Sequence, residues 1–143
     1  MALPPPALVE GQLRLQHPGA WVLVAEDDPG NGEMMVEMLQ GAGLVVDLVT
    51  DGVQVLRHLA AHRYALVLMD VRMPVMDGLA ATRALRVLPD GARLPVVALT
   101  ALAFGDDRAA CLAAGMDDYL AKPVEPGQLF ATVLHWLQAG RPG

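Results

Sequence analysis

Trp21-Val22-Leu23-Val24-Ala25 runs straight into Glu26-Asp27-Asp28-Pro29, and Ala65-Leu66-Val67-Leu68-Met69 runs straight into Asp70. Both stretches are apolar at every position rather than at alternate ones. That is the pattern of a strand buried on both faces, as inside a parallel sheet. Val45-Val46-Asp47-Leu48-Val49 and Val96-Val97-Ala98-Leu99 repeat it nearly as well, so all four are expected at the centre of the sheet. Asp118-Tyr119-Leu120-Ala121 is shorter and more polar, as suits an edge strand. Between these runs the apolar spacing turns helical, over Glu33 to Gln40, Val53 to Ala61, Leu79 to Val87, Asp107 to Ala114 and Gly127 to Gln138. Asp51 and Asp106 are candidate N-caps, and Gly41, Gly43 and Gly115 are candidate stops. Five strand–helix units with right-handed crossovers give an α/β fold, a parallel sheet covered by helices on both faces.

The 143 residues suit one core of ordinary size. A hydrophobic content of 54% against 18% charged residues excludes a disordered segment. A net charge of −6 opposes nucleic acid and anionic lipid as partners. Every apolar run is broken well short of the roughly 20 residues that span a bilayer. Met1 to Pro18 lacks the basic and apolar regions of a secretory signal, and the single Cys111 makes no disulfide, so a cytoplasmic location without direct membrane contact is expected. Pro4-Pro5-Pro6 and His17-Pro18-Gly19 mark residues 1–18 as a linker in which Leu8 to Leu15 can form a short amphipathic turn or two. Residues 19–139 are read as the folded domain and 140–143 as a ragged tail.

In a parallel α/β sheet, ligands bind beyond the C-terminal ends of the strands. Those ends carry Glu26, Asp27 and Asp28 after the first strand, Asp70 after the third, Thr100 after the fourth and Lys122-Pro123 after the fifth. Lys122 is the only lysine of the chain. Carboxylates a few ångströms apart repel by roughly 4 kcal/mol per pair at an effective dielectric near 20. With no His or Cys at these ends, a hard cation such as Mg²⁺ with retained waters fits better than zinc. A single acid at a strand end is most often a helix N-cap, which does not account for all of them together. Glu26-Asp27-Asp28 repels a phosphate unless a metal bridges it. A phosphoryl group must therefore arrive with Mg²⁺ in place, and a carboxylate can then attack it.

Val22-Leu23-Val24-Ala25-Glu26-Asp27-Asp28-Pro29, Met69-Asp70-Val71-Arg72-Met73-Pro74-Val75-Met76-Asp77-Gly78, Leu99-Thr100-Ala101 and Asp118-Tyr119-Leu120-Ala121-Lys122-Pro123 together resemble the response-regulator receiver domain of two-component signalling. The likeness extends over about residues 20–138. It implies a flavodoxin-like doubly wound sheet of strand order 2-1-3-4-5. It implies that Asp70 is the phosphoacceptor for a phosphohistidine, and that Asp27, Asp70 and the carbonyl of Arg72 ligate Mg²⁺, with Glu26 acting through water. By the same resemblance Lys122 pairs with phosphoryl oxygens across a cis bond to Pro123, Thr100 donates its hydroxyl to one of them, and Tyr119 follows Thr100 as a switch. Asp28 stands where such receivers often carry Asn, which adds negative charge near the metal. The implied partner is a histidine kinase or a histidine phosphotransfer domain.

The Asp28-Pro29-Gly30-Asn31 turn, the Val75-Met76-Asp77-Gly78 loop and the run from Cys111 to Pro123 look more like receivers attached to hybrid sensor histidine kinases than like DNA-binding regulators. An isolated domain of this kind phosphorylates and dephosphorylates itself and turns over no external substrate. Two other readings compete. A pseudo-receiver, a phosphorylation-independent interaction module, usually lacks one of the key groups. A Mg²⁺-dependent phosphohydrolase would put Glu26 in its nucleophile position. His58 and His62, one helical turn apart, read as a polar helix face before a metal pair. Met34, Met35 and Met38 read as core filling, with a flank able to meet a partner helix. Val36 is expected outside the apolar stripe, while Cys111 and Trp136 are expected to pack.

Overall fold

The computed structural model of the chain describes residues 4–101 and 106–141. The elements follow in the order α1 (Pro6–Gln16), β1 (Trp21–Ala25), α2 (Pro29–Gly41), β2 (Val45–Val49), α3 (Gly52–Ala61), β3 (Leu66–Asp70), α4 (Gly78–Arg86), a 3₁₀ turn (Gly91–Arg93), β4 (Val96–Thr100), α5 (Asp106–Ala114), β5 (Asp118–Ala121) and α6 (Pro126–Ala139). The strands form one parallel sheet in the order β2-β1-β3-β4-β5. This is the doubly wound architecture that the resemblance implies.

Alternation along the strands builds two cores. Val22, Val24, Leu66, Leu68, Val97 and Leu99 face the layer that contains α1, α2 and α6. Leu23, Ala25, Val67, Met69, Val96 and Ala98 face the layer of α3, α4 and α5. Because β1, β3 and β4 are covered on both sides, they can be apolar throughout.

Several boundaries and placements differ from the sequence expectation. β2 is an edge strand, as the order 2-1-3-4-5 requires, with Val45 exposed and Val46, Asp47 and Leu48 half-buried, where its composition by itself suggests the centre. An open sheet must have two edges, and the crossover pattern assigns one of them to β2. α2 begins at Pro29 instead of Glu33, because proline suits the first helical position and the Asp28 side chain accepts the Asn31 amide at 3.2 Å. Asp51 caps α3 as expected, and Asp77 caps α4 by accepting the Ala80 amide at 2.8 Å. The side chain of Asp106, read as a cap, lies outside the described residues.

The expected linker contains an eleven-residue helix, α1. Val9 and Leu13, one turn apart, bury completely in the α2/α6 layer, and Arg14 Nε donates to the Gly41 carbonyl at 2.8 Å. At about 25 cal/mol per Å², burying two such side chains stabilises by a few kcal/mol, enough to hold a helix too short to form by itself. The expected ragged tail is also held in part. Arg141 Nε donates to Asp117 Oδ1 at 2.7 Å, and its Nη1 donates to the Ala92 carbonyl at 2.5 Å. Val36, expected at the surface, is half-buried, whereas Met35 is buried and Met34 exposed.

Candidate functional site

Parallel pairing brings the polar strand ends to one edge of the sheet. Asp70 closes β3 and lies opposite Leu99, and Thr100 closes β4 and lies opposite Ala121. Glu26 continues β1 by donating its amide to the Val49 carbonyl at 3.0 Å. The Lys122 amide donates to the Thr100 carbonyl at 2.8 Å, and the Lys122-Pro123 peptide is cis, as the resemblance implies. Asp27, Asp28, Asn31, Asp70, Arg72, Thr100 and Lys122 line a cleft of about 380 Å³ at this edge.

Glu26, Asp27 and Asp70 each offer a carboxylate oxygen, and the three atoms lie within 4.8 Å of one another. Glu26 and Asp70 are buried, at 1% and 4% exposure, while Asp27 faces solvent. Glu26 lies deeper than the others, next to Met34, Met35 and Val124. The Lys122 ammonium sits 2.8 Å from Glu26 Oε1 and 2.9 Å from Asp70 Oδ2. Asp70 Oδ1 accepts the Arg72 amide at 3.2 Å. Both oxygens of Asp70 are therefore engaged. Of the two Glu26 oxygens, Oε1 meets the ammonium as an ion pair, and Oε2 accepts no hydrogen bond among the described residues.

Electrostatics follow from this crowding. Burial, and then the neighbouring Glu26 carboxylate, push the Asp70 pKa above the ordinary carboxylate value, and Lys122 offsets only part of the rise. Burial by itself would lower the Lys122 pKa, but the carboxylates of Glu26 and Asp70 outweigh it and hold the ammonium more tightly than in water. Three acids face a single ammonium, so an uncompensated negative charge remains. Clustered oxygen donors and a buried carboxylate with open acceptor positions are what a hard divalent cation requires. The donor set fits Mg²⁺.

Tyr119 is half-buried against the α3/α4/α5 layer, with the Arg108 guanidinium 5.0 Å from its ring centroid. His58, His62, Cys111 and Trp136 take structural roles. His58 Nδ1 meets the Gln54 carbonyl at 2.9 Å, and the His62 ring packs on Trp21 at 5.4 Å. Cys111 is buried, and Trp136 Nε1 donates to Asp118 Oδ2 at 2.9 Å. Val75, in the loop before α4, is exposed and sits at φ 69°, a strained backbone for a β-branched residue that its sequence position does not reveal. The turn around it is pinned, since the Met76 amide donates to Pro74 at 2.7 Å and the Met76 carbonyl accepts the Gly52 amide at 2.9 Å.

The family described as the response regulator receiver domain matches residues 22–134, from β1 into α6. The chain belongs to that family. Among relatives of this receiver, the sensor histidine kinase GacS of Pseudomonas protegens is 41% identical over an alignment of 118 residues that covers 80% of this chain and 13% of that protein. The chain therefore spans a small part of the hybrid kinases it matches. An uncharacterized 14.6 kDa protein of Leptolyngbya boryana is 38% identical over 85% of this chain and 92% of its own. A solved structure, the receiver domain of a sensor histidine kinase from Pseudomonas aeruginosa PAO1 with a magnesium ion coordinated in its active-site cleft, is 44% identical with a TM-score of 0.80. It covers 85% of this receiver and 99% of its own chain. No helix among the described residues is long and apolar enough to cross a membrane.

Proposed function

We propose that the receiver takes a phosphoryl group from a phosphohistidine onto Asp70, as the receiving portion of a hybrid histidine kinase phosphorelay. The observation that carries this reading is the position of the Asp70 carboxylate, at the floor of an open cleft, touched by Lys122 and within 4.8 Å of two further acids. One Asp70 oxygen attacks phosphorus as the P–N bond breaks. The electron pair of that bond leaves on the imidazole, which takes a proton, and an acyl phosphate remains. Asp70 must be ionised to attack. Its raised pKa is still offset in part by Lys122, whose own raised pKa keeps it charged through the working range.

The acids present fit Mg²⁺, with Asp27, Asp70 and the Arg72 carbonyl as direct ligands and Glu26 acting through water; when bound, the cation supplies the positive charge that lets phosphoryl oxygens enter an acidic cleft. Lys122, freed from one carboxylate oxygen, pairs with a phosphoryl oxygen. The Thr100 hydroxyl donates to another, and Tyr119 moves with it, which changes the surface of α5, β5 and α6 that meets the next phosphotransfer partner. A pseudo-receiver usually lacks one of the acid pair, the acceptor Asp or the Lys, all present in this chain, and a phosphohydrolase would need a nucleophile at Glu26, which is buried away from the cleft lining.

Incubation with Mg²⁺ and a small acyl phosphodonor, followed by intact-mass measurement, tests the reading. One added phosphoryl group, labile to hydroxylamine, is expected for the native chain and absent from Asp70→Asn. Equal labelling of Asp70→Asn would remove the nucleophile assignment. Lys122→Ala is expected to leave the fold largely intact and to impair the response to phosphorylation. Thr100→Ala is expected to label at Asp70 while amide exchange over α5, β5 and α6 stays unchanged.

A further inference from the structure

A second cleft of about 380 Å³ opens at the opposite edge of the sheet, between the α3–β3 loop, the segment joining α4 to β4, and the end of α6. Its volume lies in the range of small-molecule sites, roughly 300–1,000 Å³. Leu59, Leu88, Trp136 and Leu137 line it and are only half-buried, so it leaves apolar surface in contact with water. Its frame is fixed. Arg86 Nη1 donates to the carbonyls of Gly91 at 2.7 Å and Leu94 at 2.6 Å, and a Cβ at Gly91 would lie 1.7 Å from the Leu85 carbonyl oxygen.

The rim has the opposite charge to the phosphoacceptor edge. Arg63 and Arg93 line it against a single acid, Asp90, in a chain whose net charge is −6. Arg63 meets Asp90 at 3.3 Å with side chains 91% and 71% exposed, a pair of little energetic worth that opens readily. Arg93 makes no ion pair among the described residues. We propose that this cleft binds a small organic anion with an apolar, ring-sized body, the body against Trp136 and the leucines and the anionic group between Arg63 and Arg93. The inference goes beyond the phosphorelay reading and does not depend on it.

Titration of the full chain with anilinonaphthalene sulfonate, followed by fluorescence and by amide chemical shifts, tests the site. Saturable one-to-one binding is expected, with shifts confined to residues 59–65, 88–95 and 136–140. Arg93→Ala and Arg63→Ala together should weaken it on the order of tenfold, because charge-assisted hydrogen bonds are lost. Both side chains are exposed, so these variants keep the fold. The uncharged phenylnaphthylamine should bind more weakly by a similar factor, and Asp70→Asn should bind as the native chain does. Equal affinity for the uncharged probe, no effect of the arginine substitutions, or shifts centred on any other surface would each overturn the proposal.

Discussion

Both ends of the sheet draw charged side chains out of solvent, and they treat them in opposite ways. At the N-terminal edge, Arg86 and Asp117, 13% and 10% exposed, meet at 2.9 Å, and Arg141 completes the group. Arg86 also donates to the carbonyls of Gly115, Gly91 and Leu94, while Asp117 Oδ2 accepts the Val96 amide. Burial pulls the Arg86 pKa down, yet Asp117 beside it opposes that fall. At the C-terminal edge, Glu26 and Asp70 share one ammonium with the Asp27 carboxylate close by, and Glu26 Oε2 accepts no hydrogen bond among the described residues. A satisfied, largely enclosed ion group acts as a staple. One with an open acceptor position costs stability and is a candidate for completion by a ligand. Completeness of partnering, more than the presence of charge, separates structure from site in this molecule.

The largest effect expected from this contrast is at the staple. Arg86→Met leaves the half-buried Asp117 with one partner fewer and the carbonyls of Gly115, Gly91 and Leu94 without their donor, and should cost about 3–5 kcal/mol in denaturant unfolding. A loss below about 1 kcal/mol, the scale of surface pairs, would erase the distinction between the edges. Next comes Leu13→Ala in α1, which should cost roughly 2–5 kcal/mol, because Leu13 is fully buried in the layer shared with α6. Were the segment a loose linker, the cost would be near zero.

At the C-terminal edge the expected effects are smaller and of the opposite sign. Mg²⁺ at tenfold excess over its dissociation constant should stabilise the native chain by about 1.4 kcal/mol. That is a rise in Tm of about 3 to 6 °C. Asp27→Ala should abolish the response, and no shift at tens of millimolar Mg²⁺ would count against the cluster as a cation site. The smallest effect concerns pH. Asp70 has a folded pKa above its unfolded value, so the native state holds the proton longer and stability falls as pH rises from the ordinary carboxylate range through the raised folded pKa. Without Mg²⁺, Asp70→Asn should therefore be more stable than the native chain at neutral pH. The difference should close in acid, where Asp70 is protonated in both states. Stability curves that stay parallel across pH would show that crowding at Asp70 is relieved in some other way.

The order of the chain already dictates much of this. Apolar runs closed by polar residues specify strands whose ends carry chemistry, since in a parallel sheet consecutive strands must point the same way and gather their C-termini at one edge. Glu26, Asp27, Asp70, Thr100 and Lys122 are legible on that rule, and so is the cap at Asp51, whereas the start of α2 at Pro29 is not. Other features depend on partners far along the chain. Local composition cannot tell which buried-looking strand becomes the edge, because β2 and β1 differ in their neighbours more than in their residues. Helix α1 forms because Val9 and Leu13 find the α2/α6 layer, and Pro4-Pro5-Pro6 says nothing of that surface. Arg86 and Asp117 are 31 residues apart, and only folding brings them within 2.9 Å. The depth of Glu26, its open acceptors and its contact with Lys122 are likewise tertiary facts, because burial and partnering are properties of the packed space around a side chain and not of its position in the sequence.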